Sequence, residues 1–91
     1  MTSLNLGKNN ALYLLYCDSN ELTSLDVSGC TALAKLDCAY NMLSGLDLSK
    51  NTELEWLRCT DYAELTTLDV SHCPLLTDEN IWRDEGVTII W

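Results

Sequence analysis

At 91 residues the chain holds enough core for one domain and no more, because a core of this size is already marginal and cannot be divided. Its net charge of -9, from 14 acidic against 5 basic residues, argues against a nucleic-acid backbone or an anionic membrane as partner, since both call for positive charge. A neutral or basic protein is the expected partner. The first residues, Met1-Thr2-Ser3-Leu4-Asn5-Leu6-Gly7-Lys8, lack the charged start and apolar run of a secretory signal, and no stretch is apolar over the length a bilayer requires. As it stands the sequence predicts a cytoplasmic chain, or a surface or secreted one as part of a longer protein.

In chain order, residues 1–11 (MTSLNLGKNNA) place Leu4 and Leu6 where the next unit has Leu25 and Val27, so the chain opens in mid-repeat. Three segments then align: residues 12–32 (LYLLYCDSNELTSLDVSGCTA), 33–53 (LAKLDCAYNMLSGLDLSKNTE) and 54–75 (LEWLRCTDYAELTTLDVSHCPL). The first two are 21 residues long and the third is 22. Each carries Leu-x-x-Leu-x-Cys, then a turn, then Leu-x-x-Leu-Asp-(Leu/Val)-Ser. The alternation of apolar residues at Leu15 and Cys17, and again at Leu25 and Val27, predicts two short extended segments per unit.

A period of this length, held over three copies, predicts stacked coils rather than a globular fold with scattered leucines. One coil buries too little to offset the ordering of its own backbone, so stability must come from its neighbours. The columns Leu12, Leu33, Leu54, Leu76 and Leu15, Leu36, Leu57 are the expected spine. Asn20 and Asn41 sit where the chain leaves the first strand, suited to satisfy backbone groups in their own turn and the next coil. The third unit has Thr60-Asp61-Tyr62-Ala63-Glu64-Leu65 there, one residue longer and without asparagine, which predicts a bulged, more mobile turn.

Past Leu76, residues 77–86 (TDENIWRDEG) read as an N-capped helical turn closed by Gly86, and residues 87–91 (VTIIW) as a last strand. The expected division is repeats over residues 1–76 and a C-terminal cap over residues 77–91, with Trp82 and Trp91 lying over the last core layer. The opposite end, with Leu4 and Leu6 uncovered beside an unpaired edge, is expected either to fray through about Ala11 or to bury itself against a second copy in a homodimer.

The motifs LYLLYCDSNEL, LAKLDCAYNML and LEWLRCTDYAEL, followed by LTSLDVS, LSGLDLS and LTTLDVS, resemble bacterial leucine-rich-repeat proteins of the 21-residue nested type, known as IRREKO and internalin-like. The resemblance covers residues 1–76. It implies a leucine-rich-repeat solenoid, α/β by convention but mostly parallel β with turns, coiled as a right-handed superhelix. It also implies a concave face, lined by the Leu-x-x-Leu-x-Cys strands, that recognises protein partners. Family members usually carry an N-terminal cap and more repeats, which points to a fragment or a short member.

Candidate chemistry is sparse. His72-Cys73 resembles the start of the His-Cys-x5-Arg loop of cysteine phosphatases, but Glu79 stands at the arginine position. Cys73 also aligns with Cys30 and Asn51 at a turn, which explains it without a nucleophilic role. The column Asp26, Asp47, Asp69 supplies one carboxylate per coil, where calcium takes six to eight oxygens, so these side chains are expected to bond the turn backbone two residues on. The five cysteines are expected as reduced, small apolar residues. No enzyme activity, metal or cofactor is expected.

Between the core positions of the first strands, side chains should point outward: Leu14, Tyr16 and Asp18, then Lys35, Asp37 and Tyr40, then Trp56, Arg58 and Asp61. Tyr16, Lys35, Asp37, Tyr40, Trp56 and Arg58 are the candidate binding residues, an aromatic and charged set of the kind interfaces use. The expected function is a protein-interaction scaffold. The alternative is a structural segment of a surface or adhesion protein with no binding site of its own.

Overall fold

The computed structural model describes residues 3–60 and 65–91, and most of the longer turn expected between Thr60 and Leu65 lies outside them. Among the described residues eight short strands follow one another: β1 (Ser3–Asn5), β2 (Leu14–Tyr16), β3 (Ser24–Asp26), β4 (Lys35–Asp37), β5 (Trp56–Cys59), β6 (Thr67–Asp69), β7 (Ile81–Arg83) and β8 (Thr88–Ile90). They pair across the coils and not along the chain. The sheet orders are β2-β4-β5-β7, β1-β3 and β6-β8, and every pair is parallel. The result is a parallel-strand solenoid, with the four-stranded sheet along one side and the two-stranded sheets along the other.

The register follows from the repeat. Leu4 pairs with Leu25, Leu15 with Leu36, Leu36 with Leu57 and Leu68 with Ile89, each 21 residues apart. Because like residues stack on like, the expected columns form the core: Leu33, Leu54 and Leu76 are buried, as are Leu36 and Leu57, and Ile81 continues that second column. Cys17, Cys38 and Cys59 fill a third column, all buried. At the ends of the stack Leu4, Leu6, Leu12 and Leu15, then Val87 and Ile89, are only partly buried against the core.

The C-terminal segment differs from its expected form. The helical turn is limited to a 3-10 turn at Asp78–Asn80, and Thr77 makes no side-chain cap. Ile81–Arg83 is a strand that pairs with β5, with Leu57 opposite Ile81. The interval there is 24 residues in place of 21, so the period hides the strand while the 3-10 turn absorbs the excess. Trp82 and Trp91 do not cover the last layer; both are exposed.

Two glycines mark opposite situations. Any Cβ on Gly29 would collide with the carbonyl oxygen of Gly7, whose own φ of +60° turns the chain toward it, so the first half-coil can seat only against glycine. Gly45 meets nothing within 4 Å. It occupies the position that Ser24 holds in β3 and Thr67 in β6, yet among the described residues 46–48 form no strand with either neighbour. Glycine resists the extended state because it has the most backbone freedom to lose and no side chain to pack. The second side of the solenoid is therefore split into two sheets at the middle coil.

Replacing Gly45 by threonine is expected to favour the extended state and raise stability by about 0.5–1 kcal/mol. Chemical denaturation should show the gain. Amide exchange at Leu46 and Leu48 should slow, and unchanged exchange there would mean that something other than glycine interrupts the sheet.

Candidate functional site

The side chains at the turns are occupied by the scaffold. Asn41 donates from Nδ2 to the carbonyls of Cys17 (3.0 Å), Cys38 (3.0 Å) and Ala39 (3.1 Å), and its Oδ1 accepts from the amides of Asn20 (3.0 Å) and Leu22 (2.9 Å). The asparagine thus serves its own turn as expected, but reaches the preceding coil and not the next. At the other turn Asn51 donates to the carbonyls of Val27 and Cys30, both at 3.0 Å, while the Cys73 thiol points at those of Leu48 (3.6 Å) and Asn51 (3.3 Å). Cys73 is buried and His72 is exposed on the adjoining residue, with Nδ1 3.3 Å from Ser71 Oγ. The two do not form a nucleophile and base.

The acidic column also turns inward on its own backbone. Oδ1 of Asp26, Asp47 and Asp69 accepts from the amides of Ser28, Ser49 and Ser71, each at 2.9 Å, and Asn5 does the same for Gly7 at 2.8 Å. Hydrogen bonds from those serines hold the three carboxyls below the usual aspartate range. Such bonds orient each carboxylate toward its own turn.

What remains is the outer surface of the four-stranded sheet. Register places Tyr16, Asp37, Arg58 and Trp82 opposite one another across β2, β4, β5 and β7, one row crossing all four strands. A second row holds Leu14, Lys35 and Trp56. Core residues Leu36, Leu57 and Ile81 point the other way from the same strands. Alternation along each strand accounts for the sorting.

The six expected residues fall on this face in different states. Tyr16 and Lys35 are exposed, and Tyr40 lies beyond the end of β4 with a left-handed φ of 56° and an exposed ring. Asp37 is 7 % exposed: its Oδ1 accepts from the Ala39 amide at 3.2 Å and its Oδ2 from Arg58 Nη1 at 3.1 Å. Arg58 covers it, keeps about a third of its side chain exposed (34 %), and lies 5.6 Å from the Tyr40 ring centre, a cation–π distance. Trp56 is half-buried against Trp82, with ring centroids 5.2 Å apart and planes tilted by 42°. Trp82 is the residue sequence reasoning missed, 44 % exposed at the far end of the first row. The only signal in the sequence is Ile81-Trp82-Arg83 standing in for Leu57-Arg58-Cys59, and the lengthened interval conceals it.

Beside Trp82 an open depression of about 500 Å³ is lined in part by Asp78, Arg83, Asp84 and Glu85. Arg83 is engaged there with Asp78 at 2.8 Å. The charged groups of that depression are therefore mostly acidic.

The sequence is similar to the family described as Leucine Rich Repeat over residues 64–83, a span that takes in β6, the following turn and β7. Comparison with curated proteins and with solved structures returns no match. Stacked coils, parallel in-register strands and that similarity define the fold as a leucine-rich-repeat solenoid.

All five cysteines are free and buried. Burial, with nearby Asp37 and Asp18 adding to it, pushes the Cys17 thiol up to about 11, and burial followed by Asp84 pushes Cys59 up to about 12. These thiols ionise at an ordinary value of 9.0 once unfolded, so their contribution to stability is complete below pH 9 and is lost as pH rises toward 11 and 12. The native chain is expected to resist thiol reagents at pH 8 and to yield five thiols after denaturation. A fast-reacting native cysteine would place one of them at the surface.

Arg58 and Trp82 should behave differently when truncated. Arg58→Ala leaves the buried Asp37 carboxylate without its guanidinium and is expected to lower the melting temperature, with Asp37→Asn in the same chain restoring part of the loss. Trp82→Ala is expected to cost no more than about 1 kcal/mol. Equal destabilisation by the two would show that Trp82 serves the scaffold as Arg58 does.

Proposed function

We propose that this chain is a protein-interaction module whose binding surface is the outer face of the sheet β2-β4-β5-β7. The observation that carries the proposal is the gathering of Tyr16, Tyr40, Trp82 and Arg58, all partly exposed, on the outer face of this sheet. Exposed aromatics and arginine concentrate binding energy because they bury large area with little entropy to lose. Most other polar side chains near the turns are spent on the backbone. The 21-residue spacing and the LxxLxC half-repeats support membership of the bacterial, internalin-like kind of repeat, in which that face recognises other proteins.

Selection of a random peptide library on the wild-type chain tests the reading. Peptides enriched on the wild type are expected to lose at least about tenfold in affinity toward the Tyr16→Ala/Trp82→Ala chain, whose fold is checked by circular dichroism. Equal retention by both chains would show that the face is not the binding surface, and would favour a purely structural segment.

A further inference from the structure

The proposed surface has a periodicity of its own, and it matches that of an extended chain laid across the strands. Tyr16 and Trp82 terminate a row that crosses four paired strands, with Asp37 and Arg58 between them. Adjacent strands lie about 4.8 Å apart, so the two aromatic ends are about 14 Å apart. An extended peptide rises about 3.4 Å per residue and turns alternate side chains to one side, so residues i and i+4 also stand about 14 Å apart. Residue i+2 then falls midway, over the Asp37–Arg58 pair. In a helix the side chains at i and i+4 are only about 6 Å apart and cannot reach both rings.

The charges fix what the middle residue should be. Asp37 is nearly buried and both of its oxygens already accept hydrogen bonds, so it has little left to offer a ligand. Among the described residues Arg58 commits Nη1 to that pair and keeps a third of its side chain open, and Lys35 beside it in β4 is exposed. The accessible charge is therefore positive at the centre of the row, between the exposed Asp18 next to Tyr16 and the mostly acidic depression beside Trp82, within a chain of net charge -9. A carboxylate held over Arg58 meets the exposed part of its guanidinium, whereas a partner acidic along its whole length is repelled by the rest of the molecule. Size points the same way, since four strands span well under the roughly 800 Å² per partner of a standard interface between folded proteins.

Building on the binding role proposed above, we infer that the four-stranded face takes an extended peptide segment of a partner protein of the form apolar-x-acidic-x-apolar with neutral or basic flanks, crossing from Tyr16 to Trp82 with its central carboxylate on Arg58.

Fluorescence anisotropy with the wild-type chain tests the inference without relying on any variant folding. The probe is a short labelled peptide centred on Phe-Ser-Glu-Ser-Phe, compared with the same peptide carrying Lys at the centre and with one in which the two Phe residues are two apart. The first is expected to bind at least about tenfold more tightly than either of the others. Trp82→Ala and Tyr16→Ala should each weaken it, and Lys35→Glu should weaken it while leaving the Lys-centred peptide unaffected or tighter. If library peptides bind this face but the three defined peptides bind equally or not at all, the spacing and charge rule is overturned while the interaction surface stands. If neither library nor defined peptides depend on Tyr16 and Trp82, both readings fall.

Discussion

Everything in this molecule depends on the transfer of backbone hydrogen bonds from one coil to the next. Among the described residues the coils hold no helix beyond a single 3-10 turn and no hairpin in which to satisfy their own amides, so each strand finds a parallel neighbour in the adjacent coil. The 21-residue interval makes that possible, because it returns the chain to the same place one strand spacing along and sets leucine on leucine. Hydrophobic burial and hydrogen bonding are consequently not separable here. A coil that slipped by one residue would lose its ladder and turn its leucines to solvent together.

Between the strands the backbone turns, and side chains complete what the ladder leaves open. Asn41 serves five backbone groups, three of them in the preceding coil, and Asn51 and Cys73 act alike at the opposite turn. The aspartates of the outer column make shorter loops onto their own serines. Buried donors and acceptors are costly when unmet, which explains why Asn41, whose amide both donates and accepts, occupies a buried position. Where the repeat substitutes glycine at residue 45, the adjoining segment leaves the ladder and the sheet on that side divides.

Because the core is filled by strand residues that point inward, the outward residues are largely relieved of structural duty and can be chosen for what they touch. Tyr16 and Trp82 exemplify that freedom. Arg58 does not: it belongs to the scaffold through the buried Asp37 and to the surface through its exposed remainder and the Tyr40 ring. A guanidinium held in place from below has already given up much of its rotational entropy, which favours recognition from above.

The sequence alone determined the solenoid, its register and the inward columns, because a fixed interval between leucines is a one-dimensional property that parallel stacking turns directly into space. It likewise marked four of the residues seen on the outer face, Tyr16, Lys35, Trp56 and Arg58, through simple alternation, while Tyr40, out of phase with them, reaches the face from the left-handed turn past β4. Only the tertiary structure decided the rest. Asp37 is buried because an arginine 21 residues away folds over it, a pairing set by register and side-chain reach together. Ile81–Arg83 became a strand against a local pattern that resembles a helical turn, because the open edge of β5 offered hydrogen bonds that an isolated helical turn could not match. Trp82 joined the face for that reason alone: which side a residue shows depends on the strand it enters, and the strand was supplied by a neighbour rather than by its own sequence.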